Sequence, residues 1–257
     1  MPKAAAAPAE GESFRAWIAG RQRDAGPRRK GEQTRDRIRL ATVELLNTVG
    51  YRQMKVADIC ERAGVTPPVL YLYFDGKLAL TTDVLEEFLD RFMAASSDGA
   101  GLTAYATIYQ ANLQWISRAR ANAGLMQCLL ELSEDEPKFA TLFATASHEW
   151  YRRIADSVVR RFPEAAPERP SIELAVYAVG GMIDDLTRKL FATRVPEVVR
   201  LVAAVAPSDD ALAHFMSVLW YRALYGSDPV DRPRRVVAPK LAAAANGARG
   251  RPPAPGR

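Results

Sequence analysis

The sequence contains little histidine or cysteine and no long apolar run, and these absences exclude several classes of protein. Two histidines, His148 and His214, and two cysteines, Cys60 and Cys128, do not form a zinc site at any usual spacing. Both cysteines fall within helical apolar patterns, which predicts buried free thiols. No run approaches the roughly 18 to 20 apolar residues that a membrane-spanning helix needs. We therefore expect no metal site, no cofactor and no membrane partner.

Motifs of the common enzyme classes are also missing. The sequence has no glycine-rich phosphate loop and no HExxH, GxSxG or CxxC motif. Asp184 and Asp185 are neighbours in a predicted helix, where side chains point about 100° apart and cannot form a paired acid–base site. The sequence therefore predicts that the protein is not an enzyme.

The charge is distributed unevenly along the 257 residues. Residues 1–40 carry ten Lys and Arg against five Asp and Glu, and residues 227–257 carry seven against two, so each end has a charge of +5. Because the whole chain is also +5, the part between them is −5. Basic ends suggest contact with a polyanion, although for the C-terminal end we favour a purely solubilising role. Glu10 and Glu12 lie where a signal peptide needs its apolar segment, so we expect a cytoplasmic protein.

The spacing of apolar and turn-forming residues predicts an all-α protein. From Gln33 to about Pro229 strand alternation is missing, and turn residues separate helical segments. Ser13 can cap a short turn that has Phe14 and Ile18 on one face. The predicted units are a basic, largely flexible extension at 1–30, a three-helix helix-turn-helix domain at 31–77, a bundle of about six helices at 78–226, and a disordered basic tail at 227–257.

Two short helical segments joined by a glycine turn, VADICERA-GVT-PPVLYLYF, fit the plan of a helix-turn-helix. Gly64 can adopt the left-handed conformation that reverses the chain, and Val65 fills the corner. Thr66 can cap the next helix, and Pro67 is tolerated in its first turn because that turn has spare N–H groups. Many helical hairpins share such a turn, so the turn alone is a weak signal.

The residues around this turn resemble the DNA-binding signature of the TetR family. The matching segments are Gly50-Tyr51, Val56 to Thr66 and Leu70 to Lys77, within residues 33–77, and the LYxYFxxK ending is the most diagnostic part. Beyond residue 95 the resemblance is weaker. It implies a transcriptional regulator, with a repressor favoured by family habit, that binds double-stranded DNA and a small-molecule effector.

The resemblance implies that the helix after Thr66 lies in the DNA major groove, while nearby tyrosines and a lysine contact phosphates. The predicted contacts are Lys55, Thr66, Pro67, Val69, Tyr71, Leu72, Tyr73 and Lys77. The family commonly has polar residues where this chain has Pro68-Val69 and Leu72, and a Ser or Thr in place of Lys55. We therefore expect a second contribution from Arg28, Arg29 and Lys30, as a basic arm in an adjacent minor groove. A solvated basic linker is the alternative.

One short recognition helix gives little specificity, so a homodimer reading two half-sites is expected. The predicted interface residues are Gly180, Gly181, Leu212, Phe215, Met216, Leu219 and Trp220, and the alternative is that they complete the core of one protomer. An effector cavity is expected among aromatic and methionine side chains, namely Tyr109, Trp115, Met126, Phe143, Trp150 and Tyr177. Plain core packing is the alternative for each of them.

We therefore predict a TetR-type repressor that a small apolar or amphipathic effector releases from a palindromic operator. The alternative function is a helical ligand-sensing or protein-interaction module that has the helix-turn-helix fold but binds DNA weakly or without sequence preference. The poverty of hydrogen-bond donors in the recognition helix motivates that alternative.

Overall fold

The computed structural model describes residues 13–24, 29–93, 101–231 and 233. Within these residues the chain forms α-helices, a 3-10 helix at Pro163–Glu168 and a π-helical turn at Arg188–Ala192, and no strand. The α-helices are α1 (Phe14–Asp24), α2 (Lys30–Thr48), α3 (Gly50–Gln53), α4 (Val56–Ala63), α5 (Pro67–Tyr71), α6 (Lys77–Phe92), α7 (Ala104–Ala121), α8 (Ala123–Asp135), α9 (Pro137–Arg161), α10 (Arg169–Thr187), α11 (Pro196–Val205) and α12 (Asp209–Tyr225). The all-α prediction is confirmed.

Helix α1 corrects the prediction of a largely flexible extension over residues 1–30. The hydroxyl of Ser13 accepts the N–H of Ala16 at 3.1 Å and so begins the helix. Phe14 and Ile18 are buried, and the Phe14 N–H donates to Asn122 Oδ1 at 2.8 Å. Apolar burial therefore orders this segment against α2 and the start of α8, although its flanks are rich in Ala, Pro and Gly. Residues 1–12 and 25–28 lie outside the described part of the chain.

The helix-turn-helix is built as the sequence predicts. Gly64 has φ +64° and ends α4, and the Val65 N–H then donates to the Cys60 carbonyl at 3.0 Å. This left-handed turn reverses the chain within three residues and directs α5 away from α4. Leu70 is completely buried and anchors α5 to the core beneath it.

Helix α6 is tied to α2 by an ion-pair cluster as well as by apolar packing. The guanidinium of Arg39, only 6% exposed, binds Asp83 at 2.7 Å and also binds Glu87. Arg35 adds a second contact to Asp83 at 2.7 Å. A buried cation that is held by two carboxylates fixes the angle between these helices, because any displacement leaves charge unpaired.

The remaining helices form the body. Helix α7 packs along α12, α9 packs between α8 and α10, and α10 also contacts α12. One cluster of buried apolar residues runs without interruption from Ile38 in α2 to Trp220 in α12. The helix-turn-helix and the body therefore share a continuous core.

Helix α8 forms the closest contact between the body and α2. A Cβ at Gly124 would lie 2.7 Å from the Cα of Asn47, so the two backbones meet here with no space for a side chain. One turn further on, the thiol of Cys128 donates to the Leu46 carbonyl at 3.4 Å. Cys60 and Cys128 are both buried thiols, as predicted, and burial raises the pKa of Cys128 to about 11.

The chain after α12 is held for a few residues beyond the predicted start of a disordered tail. Arg222 donates to Asp228 at 2.6 Å, and the Thr103 hydroxyl donates to Asp231 at 2.6 Å. These bonds return the segment 227–231 to the body; of the remaining predicted tail the structure describes only Pro233. None of the helices in the described residues has the length and apolarity that crossing a membrane requires.

Candidate DNA-binding surface and ligand cavity

Helix α5 exposes large apolar and aromatic side chains on its outer face. Leu72 is 80% exposed and Tyr71 is 55% exposed, whereas the residue before them, Leu70, is completely buried. Thr66 and Pro67 are exposed as well, and Val69 is half-buried. The predicted base-contacting and phosphate-contacting residues on and next to α5 are thus all accessible to solvent at least in part.

Thr66 does not cap α5, contrary to the expectation from its position. It occupies the N-cap position with extended backbone, but its hydroxyl forms no capping hydrogen bond. Pro67 and Pro68, the first two helical residues, have no N–H to donate, and the hydroxyl does not accept the N–H of the third residue, Val69, either. The Thr66 hydroxyl is thus left for a partner outside the chain.

Lys55 precedes α4, where a serine or threonine usually caps the helix. The cap is made in the reverse direction, because the Asp58 carboxylate accepts the Lys55 N–H at 3.0 Å. The Lys55 side chain is exposed and forms no capping bond. Its ammonium therefore stays available at the edge of the same surface.

Lys77 has an internal role that the sequence did not reveal. Its ammonium donates to the carbonyls of Tyr51 and Met54, both at 3.1 Å, and lies 4.1 Å from the centre of the Tyr51 ring. These carbonyls lie at the end of the short helix α3, where a cation is favourable. One of the three ammonium N–H groups remains for a phosphate. A lysine 23 and 26 residues from its two partners gives no local sequence signal of such contacts.

Tyr73 and the basic residues before α2 lie close together. A Cβ at Gly31 would be 3.4 Å from the Tyr73 hydroxyl, which places that hydroxyl beside the N-terminus of α2. Arg29 is the exposed N-cap residue of α2 and Lys30 is its first residue, so Lys30 belongs to a helix rather than to an arm. Arg28 lies outside the described residues.

The body contains a cavity of about 360 Å³ between α7, α9, α10 and α12. This volume lies within the range of small-molecule sites. Of the six residues predicted to line a cavity, Trp115 and Trp150 do so, with ring centroids 6.5 Å apart. Apolar side chains from all four helices complete the wall, among them Ile108, Ile154, Ile183, Trp220 and Leu224.

The other four predicted lining residues lie elsewhere and correct that part of the prediction. Tyr109 stacks on His214 and donates to Asp210 at 2.6 Å. Tyr177 contacts His148 and the Tyr151 ring on the far side of the α9–α10 contact. Met126 and Phe143 pack against the core. The aromatic character of a residue did not indicate whether it lines the cavity or packs in the core, because the rotation of its helix decides where the side chain points.

Asp184 lines the cavity and was not predicted as a site residue. It accepts a hydrogen bond from the Tyr151 hydroxyl, and burial raises the pKa of the Asp184 carboxyl to about 6, although that bond lowers it. The Asp184 charge and burial in turn raise the pKa of Tyr151. Its neighbour Asp185 points outward to Arg188 and Lys189, which lower the Asp185 pKa. The sequence signal that could have identified Asp184 as a site residue was an aspartate on the inner face of an otherwise apolar helix.

The predicted dimer residues divide into two groups. Leu212, Met216 and Trp220 are buried within the protomer, and Gly180 is covered by the Tyr151 ring, so these four complete the internal core. Phe215 and Leu219 are half-buried, and Gly181 has no atom within 4 Å of its would-be Cβ. Alongside Gly181, Leu174 and Met182 are 72% and 57% exposed. An apolar outer face of α10 and α12 therefore remains, which includes three of the seven predicted residues, Gly181, Phe215 and Leu219.

Fold and surface together define an all-helical protein with an N-terminal helix-turn-helix and a cavity-containing body. Residues 38–84 match the model of the bacterial regulatory proteins of the tetR family. The resemblance to the TetR family seen in the sequence is therefore confirmed over these residues.

A curated relative and two solved structures are similar to this chain. The HTH-type transcriptional activator FasR of Mycolicibacterium smegmatis is 34% identical over 80 residues, which are 29% of this chain and 36% of FasR. The matches span about a third of the length of the curated relatives. The fold is similar to that of the fatty acid degradation regulator FadR from Bacillus halodurans, with a TM-score of 0.53 and 18% identity over 82% of this chain and 100% of that one. A TetR-family regulator from Bordetella parapertussis has a TM-score of 0.50 and 22% identity over 74% and 94% of the two chains.

Proposed function

We propose that this protein is a transcriptional regulator that inserts α5 into the major groove of operator DNA. The outer face of α5 carries the proposal, because Tyr71 and Leu72 are large side chains that the fold leaves in solvent. Exposed side chains of this kind mark a contact surface. Thr66 supplies a free hydroxyl for a base edge, and Pro67, Val69 and Leu72 supply apolar contacts to thymine methyl groups.

Phosphate contacts surround this face in the proposal. The hydroxyls of Tyr71 and Tyr73 and the ammonium groups of Lys55 and Lys77 contact the backbone on the two sides of α5. Arg29 and Lys30, with Arg28 before them, add positive charge next to Tyr73. Because Lys30 is helical, we propose phosphate contact at the start of α2 in place of an arm inserted into the minor groove.

The regulator acts as a homodimer in this proposal. The outer face of α10 and α12, with Leu174, Gly181, Met182, Phe215 and Leu219, supplies the apolar area that two protomers bury. Two copies of α5 then read two half-sites of a palindrome. The domain division follows, with DNA binding up to about residue 77 and dimerisation and effector binding in 78–226.

The effector occupies the cavity bounded by Trp115 and Trp150 and releases the protein, as a repressor, from its operator. A ligand achieves this only by binding more tightly to the conformation with the wrong spacing of the two α5 helices. Transmission to the DNA-binding helices passes through α8, whose Gly124 has no free space against Asn47.

Selection of bound sequences from a random DNA pool tests the function. We expect a palindrome whose half-sites are about one helical turn apart, since two α5 helices in a symmetric dimer require it. Binding that depends on salt but selects no sequence contradicts the proposal and supports a ligand-sensing module with incidental affinity for DNA. A transcription assay from the selected operator, with and without the protein, then determines whether it represses.

A further inference from the structure

The cavity contains a carboxylate that the fold itself does not use for an ion pair. Asp184 lines the wall, and its one side-chain hydrogen bond within the described residues comes from the Tyr151 hydroxyl. Among those residues, no Lys, Arg or His forms an ion pair with it, whereas Asp185 binds both Arg188 and Lys189. Carboxylates in apolar surroundings are costly unless a cation accompanies them.

The three arginines around the cavity do not supply that cation. Arg153 donates to the Met93 carbonyl at 3.0 Å, and Arg161 donates to the Thr107 hydroxyl at 3.2 Å. Arg160 and Arg161 end α9, and Arg161 is ten residues, or about 15 Å of helix, from Tyr151. Consistent with this geometry, the pKa of Asp184 is raised to about 6 by burial, and no arginine counteracts the rise.

The structure around Asp184 keeps its carboxylate in the cavity. Gly180 lies one turn before Asp184, and a Cβ there would be 2.8 Å from Tyr151 Cζ. The missing side chain at Gly180 therefore lets the Tyr151 ring pack closely against α10 and reach Asp184. This leaves the carboxylate oriented by one neutral donor.

Aromatic rings surround the same end of the cavity. Trp115 and Trp150 stack in the wall with centroids 6.5 Å apart, and Trp115 is fixed by its ring N–H, which donates to the Thr187 hydroxyl at 3.3 Å. The faces of indole rings attract cations, and most strongly where water is excluded. A carboxylate and two indole rings together favour a positively charged group on a body that is otherwise apolar.

We propose that the cavity binds a lipophilic organic cation, with its ammonium group at Asp184 beside Trp115 and Trp150 and its apolar body against Ile154, Ile183 and Trp220. The ligand is a protonated amine or quaternary ammonium compound small enough for about 360 Å³. This inference rests on the proposed role of the cavity as the effector site, and it names the chemical class of the effector. Arg153, whose guanidinium lies 5.7 Å from the centre of the Trp150 ring, stays on the Met93 carbonyl, while Arg160 and Arg161 lie at the end of α9.

Three probes with one apolar body and different charges test the inference. They are 1-naphthylmethylammonium, 1-naphthylmethanol and 1-naphthoate, titrated into the full-length protein with calorimetry as the readout. We expect the ammonium compound to bind about tenfold or more tightly than the other two, and Asp184→Asn to remove that preference. Asp185→Asn is the matched control, and it should leave the preference intact because Asp185 points away from the cavity. Tyr151→Phe keeps the carboxylate and should retain it too.

Three outcomes overturn the inference. Tighter binding of 1-naphthoate that Arg161→Gln weakens would assign the cavity to anions. Equal binding of the three probes would leave only apolar selection, and binding of none would remove the site. Operator binding is measured on the same proteins without probe. If the protein does not bind DNA but still prefers the ammonium probe, the result contradicts the proposed function and leaves this inference standing.

Discussion

Helices α5 and α10 break the usual rule of apolar side chains inside and charged side chains outside in opposite ways, because α5 exposes apolar groups and α10 buries a carboxyl group. On α5 the fold leaves Leu72 and Tyr71 in solvent, at 80% and 55% exposure. On α10 it turns Asp184 toward an apolar cavity with one neutral donor as partner. Neither arrangement stabilises the isolated chain, since apolar groups gain from burial and carboxylates from hydration. We propose a partner outside the chain for each, DNA for α5 and a cation for α10.

The largest expected effect distinguishes the two faces of α10. Gly180→Ala places a methyl group against the Tyr151 ring and should lower the free energy of unfolding by about 2 kcal/mol, within the usual cost of overpacking. Gly181→Ala adds its methyl on the outer face, which is open in the protomer, and should raise the stability of the protomer by roughly 0.5 to 1 kcal/mol, because alanine favours helix over glycine. Urea denaturation of both variants at one protein concentration measures the difference.

The same pair tests how Asp184 is presented. Displacement of Tyr151 in Gly180→Ala should also weaken binding of 1-naphthylmethylammonium, while Gly181→Ala should not. If the two alanine variants were equally stable and bound the probe alike, the close contact between Gly180 and Tyr151 would have no role, and the contrast between the faces of α10 would fail.

Sequence reasoning was accurate for the fold and for the turn between α4 and α5 and less accurate for the body. Short-range rules placed Gly64, Val65 and Leu70 correctly, because a tight turn leaves few arrangements. Asp184 was considered only as half of an acid–base pair with Asp185. Its single hydrogen-bond partner, Tyr151, comes from another helix and could not be inferred from the sequence. Gly180 was assigned to the dimer for a similar reason, since the sequence does not reveal which helix covers which glycine.

A second test of α10 uses pH. In the folded chain the pKa of Asp184 is about 6, above its ordinary value of 3.8. Between these two pH values the folded state therefore holds a proton that the unfolded state has released. Stability from this group is therefore present at low pH and is lost as pH rises through the folded pKa. Between pH 5 and pH 8 the free energy of unfolding should fall by about 1 kcal/mol more in the wild type than in Asp184→Asn.

Asp185→Asn is the control for this measurement. Lys189 and Arg188 lower the pKa of Asp185, so its contribution is present above its ordinary pKa and is lost only in more acidic solution. Its removal should leave the change between pH 5 and pH 8 as in the wild type. An identical pH response in all three proteins would show that the Asp184 carboxyl is hydrated in the unliganded cavity.

The smallest expected effect tests α5. Tyr71→Phe removes one exposed hydroxyl and should leave the free energy of unfolding within about 0.5 kcal/mol of the wild type. If that hydroxyl donates to a phosphate, affinity for the selected operator should fall at least threefold to fivefold, which corresponds to a net contribution of about 1 kcal/mol from one solvent-exposed hydrogen bond. The dependence of affinity on salt should not change, because no cation is lost, whereas Lys55→Met should reduce its slope by about one. Fluorescence anisotropy at several salt concentrations separates the two kinds of contact. Unchanged affinity in Tyr71→Phe would leave the exposure of Tyr71 unexplained by DNA, and the comparison of α5 with α10 would lose its first half.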